Sequence, residues 1–261
     1  MHAPTVLLNV MSTININTET LFLSDDKVFY TIEGEGEYVG MPSVFMRLSM
    51  CNLTCIGFAS EDSPNGCDSF VSWSVKNKMT FAEIFQLMEE NNYIEHLKIA
   101  AILKLTGGEP LIQEKQLLKF IQAFYERYNF KPVIDFETNA TLIPSEEWEK
   151  WLATFTTSPK LRSNGDSEDK TYKPEVLKWH VKNNSGFKFV INRSEDIEEI
   201  WEKYVNSSVK VPLNRIWFMP CCGSREEHIE KAPVVAEYAK AMHVNFSPRL
   251  QLLIWNKALK V

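Results

Sequence analysis

The chain has 261 residues, 44% of them apolar, and a formal net charge of −6. Such a chain can fill one large core or two small ones. The acidic balance, without any basic run, argues against a nucleic-acid surface, and no apolar stretch approaches the length of a membrane span.

The stretch from Met1 to Met11 is too polar, and too short in its apolar part, for a secretory signal. Residues 1–27 read as an N-terminal extension and lead-in, with Met11 a second candidate start. Residues 28–261 read as one catalytic domain. Strands are predicted at Ser43–Leu48, Ile99–Leu105, Val133–Phe136, Phe187–Ile191, Arg215–Met219 and Leu250–Trp255. Amphipathic helices lie between them. Thr80-Phe-Ala-Glu83 is a capping box ahead of Ile84, Phe85, Leu87 and Met88 on one face. Leu117, Phe120, Ile121 and Phe124 form a second stripe. Ser145 opens a third helix, and Ser194 to Tyr204 reads as a fourth. Ser224-Arg-Glu-Glu227 is another capping box, with Pro233 expected to break that helix. The polar stretch Arg162–Lys170 reads as a surface loop.

Strand–helix alternation argues for an α/β fold with a mostly parallel sheet. In such folds ligands gather at the C-terminal ends of strands. The unusual residues fall there. Cys51 and Cys55 follow the first run, Thr106-Gly-Gly-Glu109-Pro110 the second, and Glu137-Thr-Asn139 the third. Met219-Pro220 ends the fifth. This shared placement predicts a single active site.

Cys51, Cys55 and Cys67 lie within seventeen residues, out of five cysteines in all. Their odd number and the lack of a secretory signal fit a reducing cytoplasm, so disulfides are the weaker reading. Thiolates bind soft metals and iron–sulfur clusters. Three ligands leave one iron of a four-iron cluster open to a substrate or cofactor. The plainer alternatives are three unrelated thiols, or a zinc site with a fourth ligand from elsewhere. Cys221 and Cys222 are adjacent and read as packing or part of a pocket. Gly107 and Gly108 permit close backbone approach to a ligand, or simply a tight turn. Arg47 stands inside an apolar strand, where a structural role is hard to supply. None of the five histidines falls in a motif.

Phe29-Tyr-Thr-Ile-Glu33-Gly-Glu35-Gly36, Gly40-Met-Pro-Ser-Val-Phe-Met-Arg47 and Cys51-Asn-Leu-Thr-Cys55 resemble the 7-carboxy-7-deazaguanine synthase family. So do Leu105-Thr-Gly-Gly-Glu-Pro110, Glu137-Thr-Asn139, Ser158-Pro-Lys160, Lys188-Phe-Val190 and Ser247-Pro-Arg-Leu250. The match runs in order over residues 28–261. The resemblance implies a radical S-adenosylmethionine (SAM) domain, an incomplete TIM-like barrel of about six mostly parallel strands. It implies a lyase that converts 6-carboxy-5,6,7,8-tetrahydropterin to 7-carboxy-7-deazaguanine, with loss of ammonia. That product serves 7-deazapurine synthesis, for queuosine or a modified DNA base.

By the same resemblance Cys51, Cys55 and Cys67 hold a [4Fe-4S] cluster, with the usual two-residue last gap widened to eleven. Ser69, in place of threonine, binds Mg2+. Gly108, Glu109, Glu137, Ser158, Lys160, Met219 and Cys222 bind SAM. Ile32, Glu33, Gly34, Arg47, Thr106 and the terminal Val261 bind substrate, with Arg47 suited to a carboxylate. Arg249 is a further candidate. Glu33 replaces a common glutamine, and Gln251 stands where relatives often carry histidine. A flavodoxin or ferredoxin electron donor, a homodimer and a cytoplasmic location are implied as well. A different radical SAM enzyme, a non-catalytic cysteine–zinc module and a regulatory protein that keeps the enzyme fold are the other readings.

Overall fold

The structure is a computed structural model that describes residues 14–58, 66–67 and 69–256. One nine-stranded sheet organises the chain. Its strands are β1 (Thr20–Ile32), β2 (Pro42–Leu48), β3 (Asn77–Thr80), β4 (Ile102–Gly107), β5 (Val133–Thr138), β6 (Thr154–Thr157), β7 (Gly186–Ile191), β8 (Ile216–Pro220) and β9 (Asn245–Phe246). They lie in the order β3-β1-β2-β4-β5-β6-β7-β8-β9. From β2 through β9 every pairing is parallel, while β1 is antiparallel to both β2 and β3. The two edges, β3 and β9, do not pair. This is the incomplete barrel that the sequence suggests, with more strands than the six expected.

Two apolar clusters pack the sheet. One sets Leu103, Leu105, Ile134 and Phe136 against Phe85, Phe120 and Phe124 of helices Phe81–Glu90 and Glu114–Tyr128. The other sets Phe187, Phe189 and Phe218 against Leu177, Tyr204 and Val235. The first helix carries the predicted capping box in full: Thr80 Oγ1 accepts from Glu83 N, and the Glu83 carboxylate accepts from Thr80 N.

Three local expectations are corrected. β1 begins at Thr20, ahead of the expected boundary at residue 28. Asp25, Asp26 and Lys27 hide it in the sequence, and a register shift between Leu23 and Val28 accommodates them as a bulge. Leu250–Trp255 is a helix, not a strand. Periodicity cannot separate the two in so short an apolar run. The place beside β8 is taken by β9, and Pro248 cannot extend that ladder. Pro233 does not break its helix, which runs through Arg225–Met242. Pro233 and Ile229 both lie on the solvent face, so water can serve the carbonyl that loses its partner.

The loop between β1 and β2 fills the barrel interior. Because β1 runs against β2, this loop enters from the N-terminal side of the parallel strands. Tyr38 donates to Thr154 on β6 (3.1 Å), and its ring lies 5.2 Å from the Lys104 ammonium on β4. Gly36 N donates to Ser247 Oγ at 2.7 Å, and Gly34 O accepts from Leu250 N at 2.9 Å. The loop thereby links to the segment that follows β9. Among the described residues no helix is long and apolar enough to cross a membrane.

His180, wholly buried between Phe155 and Trp179, has its basicity pushed down to about 3 by burial. Its Nδ1 lies 2.9 Å from Ser185 Oγ, and Nε2 has no partner, as suits a neutral ring donating from Nδ1. The unfolded chain takes up a proton near the ordinary value of 6.5, and the fold resists it. Its contribution is therefore complete above that value and is lost as pH falls toward 3. Urea midpoints taken across that range should fall less steeply for His180→Phe than for the unaltered chain. An identical slope would contradict this assignment.

Candidate active site

β2 ends at Leu48, and the chain turns through Met50 (φ 74°) into Cys51 and then Cys55 (φ 52°). Gly66 brings the returning limb back against the first. A Cβ there would lie 2.3 Å from the Cys55 carbonyl oxygen, and its φ is 91°, so only glycine fits. Cys67 therefore comes beside Cys51 and Cys55, and all three thiols line one cavity. Burial pushes Cys55 up to about 11, with Lys160 acting to lower it and Cys67 to raise it. Burial also raises Cys51. Among the described residues, no three His, Cys, Asp or Glu side chains converge tightly enough for a single metal ion. Three thiols lining one cavity are a ligand set that an iron–sulfur cluster can use.

The stretch Arg162–Lys170, expected as a plain surface loop, supports this turn. Asp166 accepts from Thr54 N (3.0 Å), Thr54 Oγ1 (2.7 Å) and Cys55 N (2.8 Å). Only short helical turns, Arg162–Asn164 and Glu168–Thr171, break the irregular path.

The Thr106–Pro110 turn docks on the cysteine loop. A Cβ on Gly107 would sit 2.0 Å from the Leu48 carbonyl oxygen, and one on Gly108 would sit 2.0 Å from that of Met50. Glycine is required at both positions by this approach of backbone to backbone. Glu109 is fully buried and does not line the cavity. It accepts from Asn139 N (2.7 Å), Leu111 N (3.1 Å) and Thr138 Oγ1 (2.9 Å), and so fastens the turn to the end of β5. Burial pushes its carboxyl up to about 7 against those hydrogen bonds.

Two buried lysines organise the floor. Lys188 on β7 bridges Glu35 of the interior loop (2.5 Å) and Glu137 of β5. Thr106 donates to Glu137 at 3.0 Å, while Arg249 (2.9 Å) and Gln251 (2.7 Å) both donate to Glu35. Burial alone would raise the Glu35 and Glu137 carboxyls. The Lys188 charge and hydrogen bond outweigh it only in company, with Arg249 and Gln251 at Glu35 and with Lys104 at Glu137, and both end lower than ordinary. Lys104 on β4 sits deeper, 2.7 Å from both Glu33 and Asp135. Asp135 also accepts from Thr154 (2.7 Å) and Thr156 (3.0 Å). Burial raises the Glu33 carboxyl despite Lys104, and Glu33 Oε1 accepts from Glu35 N at 3.0 Å. The deeper pair thus fixes the backbone that carries Glu35.

The cavity above this floor has a volume of about 360 Å³. Of the residues expected in the site, Cys51, Cys55, Cys67, Ser69, Arg47 and Thr106 line it. So do Gly108, Glu137, Ser158, Lys160, Met219 and Cys222. Lys160 Nζ donates to both Ser158 O and Ser158 Oγ at 2.8 Å. Arg47 is paired with Asp26, and its guanidinium lies 5.2 Å from the Phe29 ring. Ile32, Glu33 and Gly34 do not line the cavity. Glu33 is engaged with Lys104, and Gly34 packs under Gln251, whose Oε1 would lie 1.9 Å from an added Cβ. Val261 lies outside the described residues. Glu35 and Lys188 line the cavity but were not assigned from the sequence. The signal for Lys188 and Lys104 was the one that singled out Arg47: a charge in the middle of an apolar strand.

A family model described as a 4Fe-4S single cluster domain matches residues 32–163. The 7-carboxy-7-deazaguanine synthase of Pyrobaculum aerophilum is 27% identical over 236 residues, covering 89% of this chain and 94% of the relative. That of Hyperthermus butylicus is 29% identical over 232 residues, covering 87% and 91%. Among solved structures, QueE from Escherichia coli matches with a TM-score of 0.58 at 18% identity, over 87% of this chain and 93% of that one, and shares the fold. The chain belongs to the 4Fe-4S single cluster domain family, and its kinship there is with the 7-carboxy-7-deazaguanine synthases.

Lys188→Met leaves Glu35 and Glu137, both half-buried at the cavity floor, without their shared cation, with Arg249 remaining at Glu35. Breaking such a group costs about 3–5 kcal/mol. Both carboxyls would then titrate higher than in the unaltered chain, Glu35 still being held by Arg249 and Gln251. In the unaltered chain the lowered carboxyls contribute stability that is present above 4.5 and lost as pH falls through their folded values, and the variant forfeits that contribution. Urea midpoints should therefore show the largest deficit at neutral pH, narrowing toward acid. A deficit independent of pH would contradict the bridge.

Proposed function

We infer that this chain is a radical SAM carbon–nitrogen lyase that converts 6-carboxy-5,6,7,8-tetrahydropterin to 7-carboxy-7-deazaguanine, releasing ammonia. One observation carries the reading. The three thiols and the Lys188 network face a single cavity in a fold whose relatives of that name match almost end to end. Residues 28–261 act as one catalytic unit, to which β1 adds residues from Thr20 onward.

Cys51, Cys55 and Cys67 would hold the cluster and leave one iron open. When bound, the reduced cluster and SAM supply a carbon radical that can abstract a hydrogen atom. The protein positions the reactants and keeps water out. The Gly108 backbone, Ser158 and Lys160 border the cysteines and suit the amino-acid end of SAM. Glu137, an acceptor held by Lys188 and Thr106, suits its ribose hydroxyls. Met219 and Cys222 close that side. Glu109 contributes from behind, by holding the turn that presents Gly108. Arg47 suits the substrate carboxylate. Glu35 places an acceptor against the donor edge of the pterin, and Thr106 lines the same cavity beside Glu137. Ile32, Glu33 and Gly34 serve as the support of this floor.

Ser69 offers an oxygen beside Cys67, as Mg2+ prefers, with substrate oxygens and water completing the shell. The resemblance also brings a flavodoxin or ferredoxin type of electron donor, a homodimer and a cytoplasmic setting into this reading.

The test is anaerobic reconstitution with iron and sulfide, followed by dithionite, SAM, Mg2+ and the carboxy-tetrahydropterin, with products identified by mass. The expected product is 7-carboxy-7-deazaguanine, with its yield reduced at least tenfold in Glu137→Gln. SAM cleavage that ignores the pterin would move the substrate elsewhere. A fully loaded protein that never cleaves SAM would overturn the reading.

A further inference from the structure

The support under Cys55 contains one side chain whose placement a loop brace does not explain. Asn164 is completely buried, although it lies in a polar stretch. Its Oδ1 accepts from Asp166 N at 3.0 Å, which fixes the amide so that its NH2 group faces inward. That Nδ2 lies 3.7 Å from Cys55 Sγ and 3.1 Å from Asp166 Oδ2. The first distance suits an N–H···S hydrogen bond, since sulfur is larger than oxygen. Asp166 in turn grips the backbone of Thr54 and Cys55, so the amide and the sulfur cannot drift apart independently.

The contact is built tightly. A Cβ on Gly57 would lie 2.2 Å from the Ser163 carbonyl oxygen, and one on Gly165 (φ 84°) would lie 2.7 Å from Gly57 N. The two segments meet backbone to backbone through glycine, which brings a short asparagine within reach of the sulfur.

We propose that Asn164 is a positioning residue that sets the reduction potential of the cluster, by donating its amide N–H to the Cys55 sulfur. The proposal rests on the reading of Cys51, Cys55 and Cys67 as cluster ligands. Hydrogen bonds to cluster sulfurs stabilise the reduced, more negative state and raise the potential. The chemistry inferred above begins with reduction of the cluster. A donor at Cys55 makes that step easier for a weak biological reductant.

The experiment compares the unaltered chain with Asn164→Ala and Asn164→Asp, each reconstituted anaerobically without SAM. Iron and sulfide are counted, and the cluster is then titrated against potential by electron paramagnetic resonance. Both variants should keep the cluster and shift its midpoint to more negative potential. The shift should be larger for Asn164→Asp, which adds a charge as well as removing the donor. Unchanged midpoints in fully loaded variants would overturn the proposal and leave Asn164 as a loop brace. Loss of the cluster from both variants would also overturn it, by assigning a purely structural role. A chain that binds no iron even when unaltered would instead defeat the cluster reading itself.

Discussion

The Lys188 ammonium is the contact on which the interior of this half-open barrel depends. The edges β3 and β9 never meet as strands. Their separation leaves a gap that a ladder of backbone hydrogen bonds cannot close. Lys188 on β7 reaches Glu35 on the loop that fills the interior and Glu137 at the end of β5. Glu35 then takes Arg249 and Gln251 from the segment after β9. Side chains thus tie three parts of the molecule where strands do not. Charges taken out of water are tolerated only when paired. The pairing therefore specifies where the interior loop must sit. Lys104, Glu33 and Asp135 repeat the device one layer deeper, and together the two groups give the cavity a polar floor.

The opposite wall obeys a different constraint, the close approach of backbones. Gly107 and Gly108 meet the carbonyls of Leu48 and Met50, Gly66 meets that of Cys55, and Gly57 meets the turn at Ser163. No side chain fits at any of these junctions. The widened spacing before Cys67 is accommodated because Gly66 folds the returning limb onto the first, and the Asn164–Asp166 turn braces it. A loop longer by several residues costs little additional closure entropy. What matters is where its end is pinned. The cavity is thus held between an electrostatic floor in the barrel interior and a wall of interlocked turns at the ends of parallel strands.

Much of this was legible in the sequence, for identifiable reasons. Five of the six predicted strands appear, because buried parallel strands read as continuous apolar runs. Thr80 and Glu83 announced their helix through chemistry that is local by nature. The cysteines and the Gly107-Gly108 turn line one cavity, as their placement after strands suggested, and Ser158-Pro-Lys160, marked only by the resemblance, lines it too. The failures are equally physical. Asp25, Asp26 and Lys27 interrupt β1, and a bulge that carries them leaves no local signature. Leu250–Trp255 has an apolar content that suits either element, and only the seat taken by β9 decides. Asn164 and Asp166 look like solvated loop residues because their partners, Thr54 and Cys55, lie more than a hundred residues away. The resemblance points Glu33 at substrate, but the buried Lys104 that claims it comes from another strand.

The central claim is that one cluster site is made by Cys51, Cys55 and Cys67, and that Cys221 and Cys222 belong only to its surroundings. Iron and sulfide counts on anaerobically reconstituted variants address this most directly. The account predicts about four irons per chain in the unaltered protein. It predicts the same count with Cys221 and Cys222 both replaced by alanine, and a collapse of the count in each of Cys51→Ala, Cys55→Ala and Cys67→Ala. A full cluster in Cys67→Ala, together with loss in the Cys221 and Cys222 double variant, would contradict it.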